Sequence, residues 1–129
     1  MTPHCLLVEH DLETSRLFMG QLVARGYEVS LARTRWEAMR ALFCDQYDLI
    51  LLDLDLPSGQ AAELAGIAGF RQPDCPVILL TDGAGMPRGE ARDALEAASA
   101  IFRKTPRMQE LLAFAAPLAA AEPPIQLAY

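Results

Sequence analysis

Five short apolar runs, separated by stretches with helical spacing, constrain the fold of this chain more than any other feature of its sequence. Each run is short enough to be a strand, and most of them are apolar throughout rather than alternating. Strands of that kind are typical of a parallel sheet that is covered on both faces. The predicted strands are residues 5–8, 27–31, 47–52, 76–81 and 100–102.

The stretches between these runs carry the start and stop signals of helices. Phe18 and Leu22 recur at helical spacing, and Gly26 follows them as a stop signal. Thr34 and Glu37 have the spacing of a capping box, which marks the start of another helix. We predict helices over residues 12–25, 34–44, 60–70 and 88–98, and a last helix from residue 105 onward.

The alternation of strands and helices in five βα units predicts one architecture. A chain of 129 residues is long enough for one domain with a single core. Right-handed crossovers then give a flavodoxin-like α/β fold, (βα)5, with a doubly wound parallel sheet in the strand order 2-1-3-4-5. We expect this domain to cover residues 1–121. Residues 122–129, which contain Pro123 and Pro124, are expected to be a C-terminal tail or the start of a linker.

The charge balance argues against direct contact with nucleic acid. The net charge is −6, whereas a protein that binds the phosphate backbone is normally basic. A membrane segment is not expected either, because the longest apolar stretch, residues 111–121, is too short to cross a bilayer and contains Pro117. The first residues do not resemble a signal peptide and the three cysteines are scattered, so we expect a cytoplasmic chain.

Polar side chains gather where the predicted strands end. The carboxyl ends of parallel strands meet at one edge of the sheet, and ligands collect there beside the switch in strand order. Clustered carboxylates suit Mg2+, and a hydroxyl and an ammonium opposite them could hold an anion such as a phosphoryl group. The polar residues at these ends are Glu9, His10 and Asp11 at the first strand, Asp53 at the third, Thr81 and Asp82 at the fourth, and Lys104 at the fifth.

Taken in order, these segments resemble the receiver domain of bacterial response regulators, in the CheY-like superfamily. The resemblance runs from about residue 6 to residue 118, which is nearly the whole chain. It depends on several segments at these separations rather than on one motif. The segments are LVEHD at 7–11, RGY at 25–27, DLILLDLDLP at 48–57 and PVILLT at 76–81, followed by Lys104.

The resemblance implies a role for each residue at the strand ends. Asp53 would accept a phosphoryl group from a sensor histidine kinase or a phosphotransfer protein. Mg2+ would be held by Glu9, Asp53 and the backbone carbonyl of Asp55. Thr81 would hydrogen-bond to the phosphoryl group and Lys104 would pair with it, so that the protein mainly positions the group and stabilises its charge. The chain would be a phosphoacceptor rather than an enzyme.

The resemblance also implies how a signal would leave the domain. An aspartyl phosphate shifts a two-state equilibrium that a downstream protein partner or effector domain reads through a changed protein surface. In the family that surface is built by the fourth helix, the fifth strand and the fifth helix, and it also forms homodimers. Here it would include residues 88–96, Phe102 and residues 108–115.

His10 departs from the family pattern, which places two adjacent acids after the first strand. Imidazole is a poor ligand for Mg2+ and suits softer divalent metals, so His10 as a metal ligand stays open, with Mn2+ as an alternative ion. Two other roles are a positive charge at the site below neutral pH and a solvated loop position. Asp11 could replace His10 as a ligand only if the strand end were shifted by one residue.

Other positions also differ from the family pattern. The family's Pro follows the Lys directly, but here Thr105 stands there and the Pro comes next, as Pro106. Asp82 adds negative charge where a small residue is common. Ile101 occupies the position of an aromatic switch residue, and Phe102 is expected to point to the other face of the strand. The usual coupling of the threonine to an aromatic ring is therefore not expected.

Three other functions compete with a phosphorylated receiver. The first is a binding module of the same fold that acts without phosphorylation. The second is a haloacid-dehalogenase-like phosphohydrolase, since Asp53 and Asp55 form a DxD. That motif would belong after the first strand, however, and only Glu110 and Glu122 are acidic beyond the Lys. The third is nucleotide binding, but the glycine-rich residues 83–89 have neither the spacing nor the position of a dinucleotide fingerprint.

Overall fold

A parallel five-stranded sheet forms the centre of the protein. In the computed structural model, the described residues are 2–57, 59–82, 96–104 and 109–113. All strand pairs are parallel, and the order is β2-β1-β3-β4-β5, which confirms the predicted flavodoxin-like sheet. The strands are β1 (His4–Val8), β2 (Glu28–Ala32), β3 (Leu49–Asp53), β4 (Val77–Thr81) and β5 (Ala100–Arg103).

Three helices are described in full: α1 (Leu12–Ala24), α2 (Arg35–Cys44) and α3 (Gln60–Arg71). Residues 96–97 and 109–113 are also helical, but the rest of the fourth and fifth predicted helices lies outside the described residues. The predicted domain boundary at residue 121 and the tail 122–129 lie outside them as well. None of the helices in the described part of the chain is long and apolar enough to cross a membrane.

Hydrogen bonds to residues outside the strands explain why β2 and β3 begin later than the sequence predicts. The backbone N–H of Tyr27 donates to the carbonyl of Leu22 at 3.1 Å, so Tyr27 closes the end of α1 instead of starting β2. The backbone N–H of Tyr47 donates to the side-chain oxygen of Gln72 at 2.9 Å, which holds Tyr47 outside β3. β2, β3 and β5 each extend one residue further than predicted, so Asp53 is itself the last residue of its strand.

The two faces of the sheet have separate apolar cores, because alternate residues of a strand point to opposite faces. One core packs α2 and α3 against the sheet, and the other packs α1 and the helical residues 109–113 against it. The central strand β3 is buried over its whole length. Among the strand residues, Leu6, Val8, Ile50, Leu52 and Leu79 belong to the first core, and Cys5, Leu7, Leu49, Leu51, Ile78 and Leu80 belong to the second.

Caps fix the ends of the helices next to the sheet. Asp11 is the N-cap of α1, and its carboxylate accepts the backbone N–H of Thr14 at 2.9 Å. Thr34 caps α2 by accepting the N–H of Glu37, as the capping-box spacing predicts. Gly26 follows α1 with φ at +94°, a conformation that glycine adopts without steric cost. Only three residues, Glu9, His10 and Asp11, separate the end of β1 from the start of α1.

Candidate functional site

The sheet brings the carboxyl ends of β1, β3, β4 and β5 to one edge. Glu9 directly follows β1, Asp53 ends β3 and Thr81 ends β4. Lys104 follows β5, and its backbone N–H donates to the carbonyl of Thr81 at 2.7 Å, which continues the pairing of these two strands. The site therefore consists of residues fixed by the parallel register of the sheet rather than by long loops.

Asp53 lies at the centre of the site and its side chain is fully buried. Its Oδ1 is 2.8 Å from Nζ of Lys104 and accepts the backbone N–H of Asp55 at 2.8 Å. Its Oδ2 lies 2.6 Å from Nδ1 of His10, whose side chain is half-exposed at 50%. Each oxygen of Asp53 therefore has its own set of partners.

Glu9 is the second buried carboxylate. Its Oε2 accepts the backbone N–H of Asp11 at 3.1 Å and lies 3.5 Å from Nδ1 of His10. Its Oε1 is 3.3 Å from Nζ of Lys104 but makes no well-oriented hydrogen bond with any residue that the structure describes. A buried carboxylate oxygen without a good donor is costly, which is an arrangement that a bound cation would relieve.

The shared environment moves the pKa values of the two acids in opposite directions. Burial raises the pKa of Glu9, and the nearby charge of Asp53 raises it further. Burial also acts to raise the pKa of Asp53, but hydrogen bonds from Lys104 and from the Asp55 N–H outweigh it, so this pKa lies below its ordinary value. Burial lowers the pKa of Lys104, but its hydrogen bond to Asp53 and the negative charges of Asp53 and Glu9 raise it overall. Asp53 is thus the acid that is held ionised.

Asp55 contributes its side chain as well as its backbone, which the sequence does not reveal. Its Oδ1 accepts the hydroxyl of Thr81 at 3.2 Å, and its Oδ2 accepts the backbone N–H of Asp82 at 2.9 Å. The same carboxylate lies 3.4 Å from Nζ of Lys104. The only signal in the sequence is the two-residue spacing between the acids 53 and 55 at a strand end. Asp55 therefore connects the ends of β3, β4 and β5.

Two acids predicted near the site have other contacts. Asp11 caps α1 through Thr14, and Asp82 is exposed, with its backbone bonded to Asp55. In β5, Ile101 is 41% exposed while Phe102 packs against the core on the α1 face, as strand alternation predicts. Residues 105 and 106, where the sequence after Lys104 differs from the family pattern, lie outside the described residues.

Three of these side chains could hold a metal ion together. The ligand atoms offered by Glu9, His10 and Asp53 all lie within 4.8 Å of one another. The donor set consists of two carboxylates and one imidazole, which are common ligands of divalent metals. With the unbonded buried oxygen of Glu9, the donor set fits a divalent cation.

Comparison with known sequences gives a partial match. No protein-family model matches the chain. A curated protein of Bacillus subtilis, described as the uncharacterized transcriptional regulatory protein YkoG, is 31% identical over 84 residues. The match covers 65% of this chain but 37% of that protein, so the chain spans little more than a third of the length of this relative.

Comparison with solved structures covers nearly all of the chain. The response regulator protein TrrA from Thermotoga maritima, in complex with Mg2+ and BeF, has a TM-score of 0.78 at 27% identity, covering 90% of this chain and 98% of that one. A response regulator receiver domain protein (CheY-like) from Methanospirillum hungatei has a TM-score of 0.80 at 24% identity, covering 95% and 100%.

The chain is similar in fold to response regulator receiver domains over nearly its whole length, so the resemblance predicted from the sequence is confirmed. These similarities support a receiver role in two-component signalling.

Proposed function

We propose that this chain accepts a phosphoryl group on Asp53 from a sensor histidine kinase or a phosphotransfer protein. The observation that carries the proposal is the environment of Asp53, a fully buried and ionised carboxylate 2.8 Å from a lysine ammonium at the edge of the sheet. An ionised carboxylate is the form that can attack phosphorus, and the ammonium stabilises the charge of the transferred group.

The transfer is a simple exchange of bonds to phosphorus. A carboxylate oxygen of Asp53 forms a bond to phosphorus while the bond from phosphorus to the donor breaks, and the bonding electrons leave with the donor. Lys104 stays paired with the phosphorylated residue. Thr81 donates to Asp55 at 3.2 Å in the present state, and its hydroxyl would turn to donate to the phosphoryl group instead. That exchange alters the end of β4 and thereby the surface that a partner contacts.

The proposed metal ligands are Glu9, Asp53, the backbone carbonyl of Asp55 and His10. A divalent ion such as Mg2+ or Mn2+, when bound, neutralises charge on the phosphoryl group during transfer. The fit of the residues is supported by the buried Oε1 of Glu9, which lacks a well-oriented hydrogen bond among the described residues. Asp11 is not among the ligands, since its carboxylate is engaged in capping α1.

The proposed output is a change in a protein-binding surface that a downstream protein or an effector domain recognises. In the receiver fold this surface includes β5 and the helices on either side of it. The same surface would also form the interface of a homodimer. Phe102 and residues 109–113 belong to this face, and Phe102, Leu111 and Leu112 pack in the α1 core, which links the face to the sheet. Residues 88–95, 108, 114 and 115 of the same predicted face lie outside the described residues.

A second candidate is a receiver-like module that binds its partner without phosphorylation. The contact of 2.6 Å between His10 and Asp53 favours it, because this contact engages the oxygen of Asp53 that Lys104 leaves open. A haloacid-dehalogenase-like activity has less support, since the acids 53 and 55 follow β3 and not the first strand.

The test is incubation with acetyl phosphate, with and without Mg2+ or Mn2+, followed by intact-mass measurement. We expect a metal-dependent mass gain of one phosphoryl group in the wild-type protein and none in Asp53→Asn. The variant keeps the size of the side chain but removes its nucleophilic charge, which makes it a matched control. A wild-type protein that gains no mass with either metal would support the module that acts without phosphorylation.

A further inference from the structure

The imidazole of His10 faces the buried carboxylates of Glu9 and Asp53 with its Nδ1 atom. Nδ1 lies 2.6 Å from Oδ2 of Asp53 and 3.5 Å from Oε2 of Glu9. The side chain is half-exposed, so the ring forms the solvent-facing side of an otherwise buried cluster. A nitrogen in that position is placed where the receiver family usually has a carboxylate oxygen.

The oxygens of the two carboxylates are divided between two sides of the site. Oδ1 of Asp53 and Oε1 of Glu9 face Lys104, at 2.8 and 3.3 Å. Oδ2 of Asp53 and Oε2 of Glu9 face His10. A cation on the His10 side would therefore have one nitrogen and two oxygens as neighbours and would leave the contacts of Lys104 in place.

The separations on the His10 side agree with those around one metal ion. Neighbouring ligands of a six-coordinate ion with bonds of about 2.1 Å are roughly 3 Å apart. The separations of 2.6 and 3.5 Å from Nδ1 lie on either side of that value. A second observation is the weak neutralisation of the fully buried Glu9, whose Oε1 has an ion pair of 3.3 Å with Lys104 but no well-oriented hydrogen bond with any described residue. A cation bound at Oε2 of the same carboxylate would supply the missing charge.

We propose that His10 is a metal ligand through Nδ1 and that this site selects first-row transition ions over Mg2+. Imidazole nitrogen binds ions such as Co2+ and Ni2+ well, whereas Mg2+ strongly prefers oxygen. The inference rests on the proposed function, which places Glu9, Asp53 and His10 among the metal ligands, and it adds the ligand atom of His10 and the class of ion that the chain takes.

The test is calorimetric titration of the tag-free protein with Mg2+ and with Co2+. Every site of this kind prefers Co2+ to some degree, so the informative quantity is the ratio of the two dissociation constants and how it changes in a variant. His10→Asp restores an oxygen ligand at the same position. His4→Gln is the matched control, because His4 is the other of the two histidines, lies at the opposite end of β1 and is hydrogen-bonded to Ser30.

We expect the preference for Co2+ over Mg2+ to be about tenfold greater in the wild-type protein and in His4→Gln than in His10→Asp. Amide signals of residues around 9–11 and 53 should be the ones shifted by paramagnetic Co2+, which separates this site from binding at the exposed Cys44. An unchanged preference in His10→Asp, or Co2+ shifts centred elsewhere, would overturn the assignment.

The metal titration is independent of phosphorylation, so the two proposals can fail separately. A mass gain on Asp53 with an unaltered metal preference in His10→Asp overturns the role of His10 alone. Selective Co2+ binding without any mass gain upholds the role of His10 and contradicts the proposed phosphorylation.

Discussion

At the scale of single residues, Lys104 sets the charge balance of the site. Its ammonium lies within 3.4 Å of three carboxylates, those of Glu9, Asp53 and Asp55. Its side chain is only 13% exposed, so water screens these interactions weakly. The raised pKa of Lys104 means that folding favours its charged form, and the stability that it contributes is lost only as the pH rises through that raised pKa.

Replacing this ammonium is expected to destabilise the protein most strongly near neutral pH. In Lys104→Met, the buried carboxylates of Glu9 and Asp53 have lost their main counter-charge, and we expect a loss of about 3 kcal/mol in the free energy of unfolding at pH 7. Without the ammonium the folded-state pKa of each acid lies above its unfolded value, so the folded state binds more protons and the deficit shrinks as the pH falls.

Urea denaturation of the wild type and of Lys104→Met at pH 7 and at a mildly acidic pH measures this effect. Arg103→Met is the control, because it removes a neighbouring positive charge that is exposed. A deficit in Lys104→Met that is the same at both pH values would contradict the assigned charge balance.

The residues that end the strands could be predicted from the sequence, and the contacts among them could not. Asp53, Glu9 and Lys104 follow from apolar runs that stop at a polar residue, since parallel strands end at one edge. Two of these contacts depend on side-chain orientations that only tertiary packing fixes. They are the hydrogen bond between Nδ1 of His10 and Asp53 and the hydrogen bond that Thr81 donates to Asp55. A sequence pattern does not contain that information.

At the scale of elements, the end of α1 depends on one glycine. Gly26 has φ at +94°, and a Cβ added there would meet nothing within 4 Å. Any cost of a side chain at this position therefore comes from the backbone conformation. Gly20 lies inside α1, and a Cβ there would also meet nothing within 4 Å.

These two glycines are expected to respond to alanine in opposite directions. Gly26→Ala should lower the free energy of unfolding by about 1–2 kcal/mol, because L residues rarely adopt this φ. Gly20→Ala should raise it by about 0.5–1 kcal/mol, because alanine favours the helix interior. Thermal and urea denaturation of the two variants measure both changes, and a stabilised Gly26→Ala would contradict the assigned end of α1.

The connection from α2 to β3 depends on the buried side chain of Gln72. Its Oε1 accepts the N–H of Tyr47 at 2.9 Å, and its Nε2 donates to the carbonyls of Leu42 and Asp45 at 3.2 and 2.8 Å. The sequence contains no signal for this role, because the partners are backbone groups 25 to 30 residues away. For the same reason the start of β3 was predicted two residues early.

Removing this amide should destabilise the fold without touching the site. In Gln72→Ala, three backbone groups lose a buried partner, and we expect a loss of about 2 kcal/mol in the free energy of unfolding. Asp74→Ala changes an exposed residue of the same loop and is expected to have little effect. The two variants are compared by urea denaturation. Equal stability of both variants would show that the amide does not support this connection.

At the scale of the whole molecule, the order of the sheet decides which residues meet. β1 and β3 are neighbours at the centre, and β4 and β5 follow on one side, so Glu9, Asp53, Thr81 and Lys104 end at one edge. This order was predictable because five βα units with right-handed crossovers leave few alternatives. The strand boundaries were less predictable, because hydrogen bonds to residues outside the strands, such as Leu22 and Gln72, decide them.

The two apolar cores connect this edge to the rest of the domain. Leu80, which precedes Thr81, packs in the same core as Phe102 and Leu111, and Leu79 packs in the core beneath α2 and α3. A change at the end of β4 therefore acts on both faces of the sheet. On the proposed function, we expect modification of Asp53 to reach a partner surface through this packing.

Chemical trapping of the phosphorylated residue shows directly whether Asp53 is the phosphoacceptor. The protein is incubated with acetyl phosphate and a divalent metal and then reduced with borohydride, which converts an aspartyl phosphate to homoserine, and its peptides are sequenced by mass spectrometry. We expect homoserine at position 53 and unmodified Asp11, Asp55 and Asp82. Homoserine at one of those other positions, or at none, would contradict this assignment.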